Sequence, residues 1–392
     1  MQLMRLDEIP ENTRLGQSIF DERGLLLLGE GYPLKKYEMA KIRSLGYEYL
    51  YVDTPQSEKV TIVPALTPRV DAVLHKVVTE QFHRIFDRVQ RTKYPPEHLR
   101  SVIEKHVDFQ NSVDINEAVI ASRLMIEDLE LNGMEPLDTF LLKGKATYLA
   151  DHSINTALIA VLLGYRFGLR RNDLIELVLA SLFHCCGQLF LPELIGRDEL
   201  LFDEREASLF RLYPELSERV LASSTDRFFR SRLGILHHRE RQDGKGFPKG
   251  LTGTNQRPNF SQHTPSNTVY PMAEIVSVAA SFDEYVGRGF GVAMSPEEAA
   301  LNVIARINSD LNTQIVETWL NICSLFPPGV TIKILRCPDR KLVGGFAIVQ
   351  KTNWSDPHKP RVVLMADASG NPLNQTEIDL AEFDYCRIRM IL

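Results

Sequence analysis

The sequence is poor in cysteine. Five cysteines are present, an odd number and mostly isolated, so no disulfide framework is implied. Long apolar runs are also missing. The longest candidate, Ala157 to Leu163, is far short of the roughly 20 residues that span a bilayer. The N-terminus, MQLMRLDEIPENT, places acids where a signal peptide needs an apolar core. Positive charge is not in excess either. A net charge of −6 argues against the broad basic face that generic nucleic-acid binding requires, although a local basic pocket remains compatible with it. Together these absences predict a cytoplasmic protein with neither a membrane nor a nucleic acid as partner. With 44% apolar and 24% charged residues over 392 positions, the chain has the composition of a globular protein of two or three domains.

The patterning predicts a mainly α fold: an all-helical central domain with a small α/β unit before it and a small β-rich unit after it. Residues 1–55 form the first unit. Ile19-Phe20 and Leu25 to Leu28 read as short strands around the turn Asp21-Glu22-Arg23-Gly24. A helix from Pro33 to Leu45 stops at Gly46, and Tyr47 to Val52 follows as a strand. Residues 56–132 read as a linker and helical stalk. Val70, Val73, Leu74, Val77, Val78, Phe82, Ile85, Phe86 and Val89 recur at helical spacing up to the break at Pro95-Pro96, with further helices from Glu97 to about Asn132. Such a stripe is either plain packing or the seam of a homodimer.

Residues 133–325 read as all-helical. Asp173 with Glu176 predicts a capping box opening the apolar helix that stops at Gly187. Residues 326–392 turn to short strands (VTIKIL, GGFAIVQ, RVVLMA) between Gly, Pro and Asp turns.

Chemistry concentrates at Ile235 to Leu251, ILHHRERQDGKGFPKGL, where adjacent histidines precede a tight glycine turn. His152 begins one helix, His184-Cys185 ends another, and His237-His238 ends a third. A lone histidine at a helix end is most often a satisfied core residue. Three that converge could hold Zn, Fe or Mn, with the Cys185 thiolate joining for Zn or Fe.

In order, these motifs resemble the HD-GYP family, the HD-superfamily group that hydrolyses cyclic di-GMP. His152-Ser153 resembles its first ligand motif, and residues 180–188, ASLFHCCGQ, resemble A-x-L-L-H-D-I-G-K. Leu191-Pro192 and Tyr213-Pro214 resemble the following I-P and H-P. Residues 238–248, HRERQDGKGFP, resemble H-H-E-x-x-D-G-x-G-Y-P, and residues 273–283, AEIVSVAASFD, resemble A-R-I-x-x-V-A-D-x-F-D. Both terminal units also resemble modules that flank such domains.

The departures carry as much meaning. Under this resemblance the ligand positions keep His152, His184 and His238. Cys185 stands for the aspartate of the HD pair, Gln188 for the lysine, Tyr213 for the histidine before proline, Arg239 for the second histidine and Ala280 for the late aspartate. Arginine offers no lone pair and repels a cation. A bridged metal pair also needs a carboxylate. The resemblance therefore implies a degenerate, pseudoenzyme form with no cofactor expected. A weakly active phosphodiesterase holding a single Fe, Mn or Zn ion on His152, His184, Cys185 and His238 is the alternative, and a structural adaptor the third reading. Asp243 and Gln188 sit at motif positions without an assigned catalytic role. Arg227, Arg230, Arg232, Arg239, Arg241, Lys245 and Lys249 crowd the segment, so Arg239, Arg241, Lys245, Gly246, Phe247 and Pro248 are the expected contacts to a cyclic di-GMP ligand, with a protein partner as the other option.

Overall fold

The computed structural model describes residues 1–391 apart from 22, 93, 96–97, 106–108, 110–111, 140, 261–263 and 287–293. Glu22, Pro96 and Glu97 of the expected turn and breaks therefore lie outside the described residues.

The N-terminal unit comprises β1 (Gln2–Arg5), β2 (Arg14–Leu15), β3 (Ile19–Phe20), β4 (Leu26–Leu28), α1 (Lys36–Ser44) and β5 (Tyr49–Asp53). Strands run in the order β1-β5-β2, with β3-β4 as a separate antiparallel pair. Gly46 ends α1 at φ +81°, a conformation that glycine adopts without a Cβ penalty. Leu15, Leu34, Ile42, Leu50 and Val52 give this unit a small core of its own.

The apolar stripe expected to start near Arg69 is α2 (Pro68–Thr92). It is followed by α3 (Leu99–Glu104) and α4 (Ile115–Leu131), the latter capped by the Asp114 carboxylate on the amides of Asn116 and Glu117. These helices do not project as a stalk. The face of α2 carrying Leu74, Val78, Phe82 and Ile85 is buried against α4 and the central domain, so packing within the chain covers the stripe.

The central domain contains α5 (Tyr148–Arg166), α6 (Arg171–Phe183), a 3-10 turn at Cys186–Phe190, α7 (Glu204–Phe210), α8 (Tyr213–Ser224), α9 (Phe229–His237), α10 (Pro271–Tyr285), α11 (Pro296–Ala305) and α12 (Thr313–Trp319). Helix α5 packs on α6 and α10, and α9 packs on α6, α8 and α10. Every residue of α5 from Leu149 to Gly164 is buried, the polar Asp151, His152, Ser153, Asn155 and Thr156 together with the apolar run from Ala157.

Helix α6 differs from expectation at both ends. It begins two residues before Asp173, and no side chain caps it. Asp173 instead pairs with Arg170 and Arg230, while the Glu176 carboxylate accepts the Ser231 amide at 2.9 Å. The tertiary contact to α9 takes both carboxylates that the capping box would use. The stretch Arg171–Phe190 is also more apolar than the sequence reading allowed: by length and composition it could cross a membrane, with 89% of its apolar window buried inside the protein. Capping boxes are found instead at Asp203/Glu206 and Ser295/Glu298.

The chain closes with β6 (Thr331–Arg336), β7 (Phe346–Lys351), β8 (Arg361–Ala366), β9 (Pro372–Asp379) and β10 (Arg387–Ile391), an antiparallel sheet ordered β10-β6-β7-β8-β9. Its last two strands, polar and alternating, were not anticipated. All five cysteines are free thiols. The fold is thus the mainly α architecture expected, with a small N-terminal sheet region and a C-terminal sheet.

Candidate functional site

Three helix ends deliver the histidines. His152 lies in the second turn of α5, His184 is the C-cap of α6, and His238 is the C-cap of α9. All three are buried, and the ring centroids are 4.9 Å apart for His152–His184 and 5.1 Å for His184–His238. The backbone fixes two of the rings. His184 Nδ1 lies 2.7 Å from the Ser181 carbonyl and His238 Nδ1 lies 2.5 Å from the Ile235 carbonyl, so each Nδ1–H donates. His152 Nδ1 donates to Asp283 Oδ2 at 2.6 Å.

The three Nε2 atoms therefore face inward, and two of them meet. His152 Nε2 and His184 Nε2 are 3.1 Å apart, and with Nδ1–H donating in each ring these two nitrogens turn lone pairs towards one another. The third, on His238, accepts from the Tyr213 hydroxyl at 2.7 Å. Burial pushes His184 well below the usual histidine range, and burial with the nearby Arg239 guanidinium takes His238 down to about 3. Burial raises Tyr213 well above the usual phenol range, so its hydroxyl keeps its proton and donates.

Sequence reasoning placed His237 outside the set. It is buried, both its ring nitrogens lack a hydrogen-bond partner, and no ring contact joins it to the other three among the described residues.

Several members of this centre were not singled out from sequence. Asp283, fully buried, receives Lys143 Nζ on Oδ2 at 3.0 Å and Asn155 Nδ2 on Oδ1 at 2.9 Å. Burial alone would raise Asp283, but the Lys143 ammonium and His152 outweigh it and hold the carboxyl below its ordinary range. Asp283 closes the last quoted motif, so a signal existed. Lys143 belongs to no motif, and nothing local marks it.

Cys185 is buried directly after His184. Its Sγ is 3.2 Å from Ser153 Oγ, and burial pushes the thiol up to about 12. Gln188 is buried in the 3-10 turn and neutral. Ala280 is buried on α10 and offers no donor atom.

The Arg239 guanidinium lies at the edge of the cluster. It makes a two-pronged contact to Glu199, 2.7 Å to each carboxylate oxygen, reaches Glu284 at 3.4 Å and sits 5.4 Å above the Phe247 ring. Its three partners belong to three different segments. Arg241 is likewise paired, with Asp243 and Asp310. The turn beyond is rigidly specified. Asp243 accepts the Lys245 amide, and Glu240 accepts the amides of Lys249 and Leu251 at 2.7 and 2.8 Å. A Cβ on Gly246 would stand 2.4 Å from Glu240 Cα, so only glycine lets the turn close on the helix end. Phe247 and Pro248 follow through a cis peptide bond. Of the expected ligand contacts, the structure gathers Arg239 and Phe247 at the cluster and ties both arginines to carboxylates.

A two-metal centre does not fit this donor set. Of the positions that the resemblance assigns to ligands, one is an arginine already bonded to glutamates, another is an alanine, a third is a tyrosine whose hydroxyl is bonded to His238 Nε2, and Cys185 is a protonated thiol. Among the described residues no group of three or more His, Cys, Asp and Glu is disposed to hold an ion. The His152–His184 nitrogen pair is the part that a single ion could engage.

Residues 141–310 match the family model described as HD domain. Two curated relatives are similar to it. The cyclic di-GMP phosphodiesterase PdeB of Borreliella burgdorferi is 39% identical over 29% of this chain and 30% of its own length. The cyclic di-GMP phosphodiesterase response regulator RpfG of Xanthomonas campestris pv. campestris is 28% identical over 24% of this chain and 25% of its own. The matched segment thus spans under a third of either relative. Among solved structures, Bd1817, a HDG"Y"P protein from Bdellovibrio bacteriovorus, aligns with a TM-score of 0.46 at 14% identity over 81% of this chain and 97% of that one.

Proposed function

We propose that this chain is a signalling protein of HD-GYP type that has lost hydrolysis and acts by binding. One observation carries the reading. At the second-histidine position Arg239 brings a guanidinium bonded to Glu199, and the remaining His238 Nε2 is occupied by the Tyr213 hydroxyl. Water activation on a metal pair needs free lone pairs at these positions. Cyclic di-GMP is the first ligand to test, because two relatives carry that substrate in their names.

A second reading, a protein partner, draws support from the ion pairs. Arg239 and Arg241 already hold carboxylates, so a phosphate must displace Glu199 or Asp243 to reach them. Next to Glu199, Leu200 and Leu201 are 91% and 76% exposed, apolar surface suited to a protein contact.

The test is a cyclic di-GMP hydrolysis assay with added Mn²⁺ beside titration calorimetry of the same ligand. Heat of binding without turnover supports the first reading. No heat at tens of micromolar moves the function to a partner. Turnover abolished by His184→Ala overturns both and restores the single-metal phosphodiesterase.

A further inference from the structure

We infer that two built-in side-chain cations, Lys143 and Arg239, stand in for metal ions at the polar centre of the helical domain, so that the domain folds and stays folded without metal. The inference deepens the non-hydrolytic reading above and rests on it.

A metal centre of imidazoles and carboxylates needs carboxylates whose oxygens are free to ligate. Around these histidines, among the described residues, Asp283 and Glu199 have both oxygens engaged. Asp283 has both oxygens occupied: Oδ2 by Lys143 Nζ at 3.0 Å and His152 Nδ1 at 2.6 Å, Oδ1 by Asn155 Nδ2 at 2.9 Å. Lys143 also donates to the Asp283 backbone carbonyl. Glu199 has both oxygens on Arg239 Nη2 at 2.7 Å, and Glu284 meets Arg239 Nη1 at 3.4 Å. The two cations therefore take the carboxylates at hand from opposite sides of the cluster.

At Lys143 burial makes this a choice between cations. The side chains of Lys143 and Asp283 are both 0% exposed. A buried ammonium persists only with a full set of partners, and a buried carboxylate likewise. Adding a divalent ion to this dry centre would place further positive charge near Lys143 and Arg239 without a new anion to offset it.

The sequence also positions Lys143 with care. The Ala146 amide donates to the Leu45 carbonyl at 3.0 Å, and the Gly144 amide donates to Asp151 Oδ2 at 2.9 Å. A Cβ on Gly46 would lie 2.3 Å from Lys145 Cβ, so the N-terminal unit presses directly on this segment. The unit that precedes the helical domain thus holds the lysine that reaches its centre.

The test begins with the full chain purified without chelator. Metal analysis is expected to find no stoichiometric Fe, Mn or Zn, and EDTA is expected to leave the melting midpoint unchanged. One tightly held ion per chain, or a midpoint lowered by EDTA, overturns the inference. Lys143→Ala is expected to lower the midpoint by several degrees, with partial recovery in tens of millimolar ethylammonium chloride and none in sodium chloride of equal ionic strength. Equal recovery in both salts counts against it. Should Lys143→Ala not fold, Lys143→Met combined with Asp283→Asn removes both charges together. Recovery of folded protein in that double variant supports the charge account, and its absence opposes it. Metal bound without hydrolysis sinks this inference alone, whereas cyclic di-GMP hydrolysis by metal-free protein sinks only the proposed function.

Discussion

The Tyr213 hydroxyl stands 2.7 Å from His238 Nε2 and donates its proton to it. Both side chains are about 1% exposed, so water does not replace either partner. Tyr213→Phe removes the donor and leaves a buried nitrogen acceptor unpaired. A loss of about 1–3 kcal/mol in urea unfolding is expected, the usual cost of one buried unsatisfied group. An unchanged midpoint would mean that His238 is held by Ile235 alone.

Gly187 decides how the tyrosine reaches its histidine. It lies in the 3-10 turn after α6, where its amide donates to Ser217 Oγ at 2.7 Å and Ser217 Oγ donates to the His184 carbonyl at 2.9 Å. A Cβ at this position would fall 2.1 Å from the Tyr213 carbonyl oxygen. Backbone cannot yield as a flexible side chain does. Gly187→Ala should therefore push α8 off the α6 terminus and cost more than about 3 kcal/mol, at the destabilising extreme for single substitutions. Soluble expression with a native melting curve would show that the two segments slide apart freely.

The buried histidines set an acid limit. His184 and His238 stay neutral when folded, His238 titrating only at about 3, whereas both take protons near 6.5 when unfolded. Below about pH 6.5 the unfolded chain binds protons that the folded chain refuses. Their contribution is thus whole above that pH and falls as pH drops, by about 1.4 kcal/mol per pH unit for each ring. His75, raised to about 10 between Asp71 and Asp151, is protonated in both states over this range and adds no slope. In His238→Gln the fall of unfolding free energy between about pH 6 and pH 5 should lose the slope of roughly one proton. A slope equal to that of the unchanged chain would show that His238 already titrates normally.

The outline of the fold was legible because periodicity and capping are local. The stripe from Val70 to Val89 and the strand runs after Pro328 both depend on neighbours in sequence. Asp173 was misread because its partner, Arg230, is 57 residues away, and a long-range ion pair overrode a local cap. The centre was half legible for the same reason. Spacing and resemblance found His152, His184 and His238, and Asp243 set the register that excluded His237. Nothing local could show that Lys143 and Asp283, 140 residues apart, share one buried contact, or that the arginines near the turn are already committed to carboxylates.

Glu274 shows what such long-range burial does to a residue that sequence passes over. It is 5% exposed on α10, with Oε1 accepting from Gln242 Nε2 at 2.5 Å and Asn312 Nδ2 at 3.2 Å. No cation faces it in these contacts, and burial raises its carboxyl to about 7 against 4.5 when free. Below about 4.5 both states are protonated and the full contribution is present. As pH rises through about 7 the folded chain must hold a buried charge or keep a proton the unfolded chain releases, and stability is lost. The difference amounts to about 3 kcal/mol on the alkaline side. Glu274→Gln keeps the acceptor oxygen for Gln242 and Asn312 and has no charge to bury. The variant should match the unchanged chain in urea unfolding near pH 4 and exceed it by about 3 kcal/mol near pH 8. Equal stability at both pH values would mean that Glu274 ionises as freely in the folded protein as in water, and that its two amide donors already offset the burial.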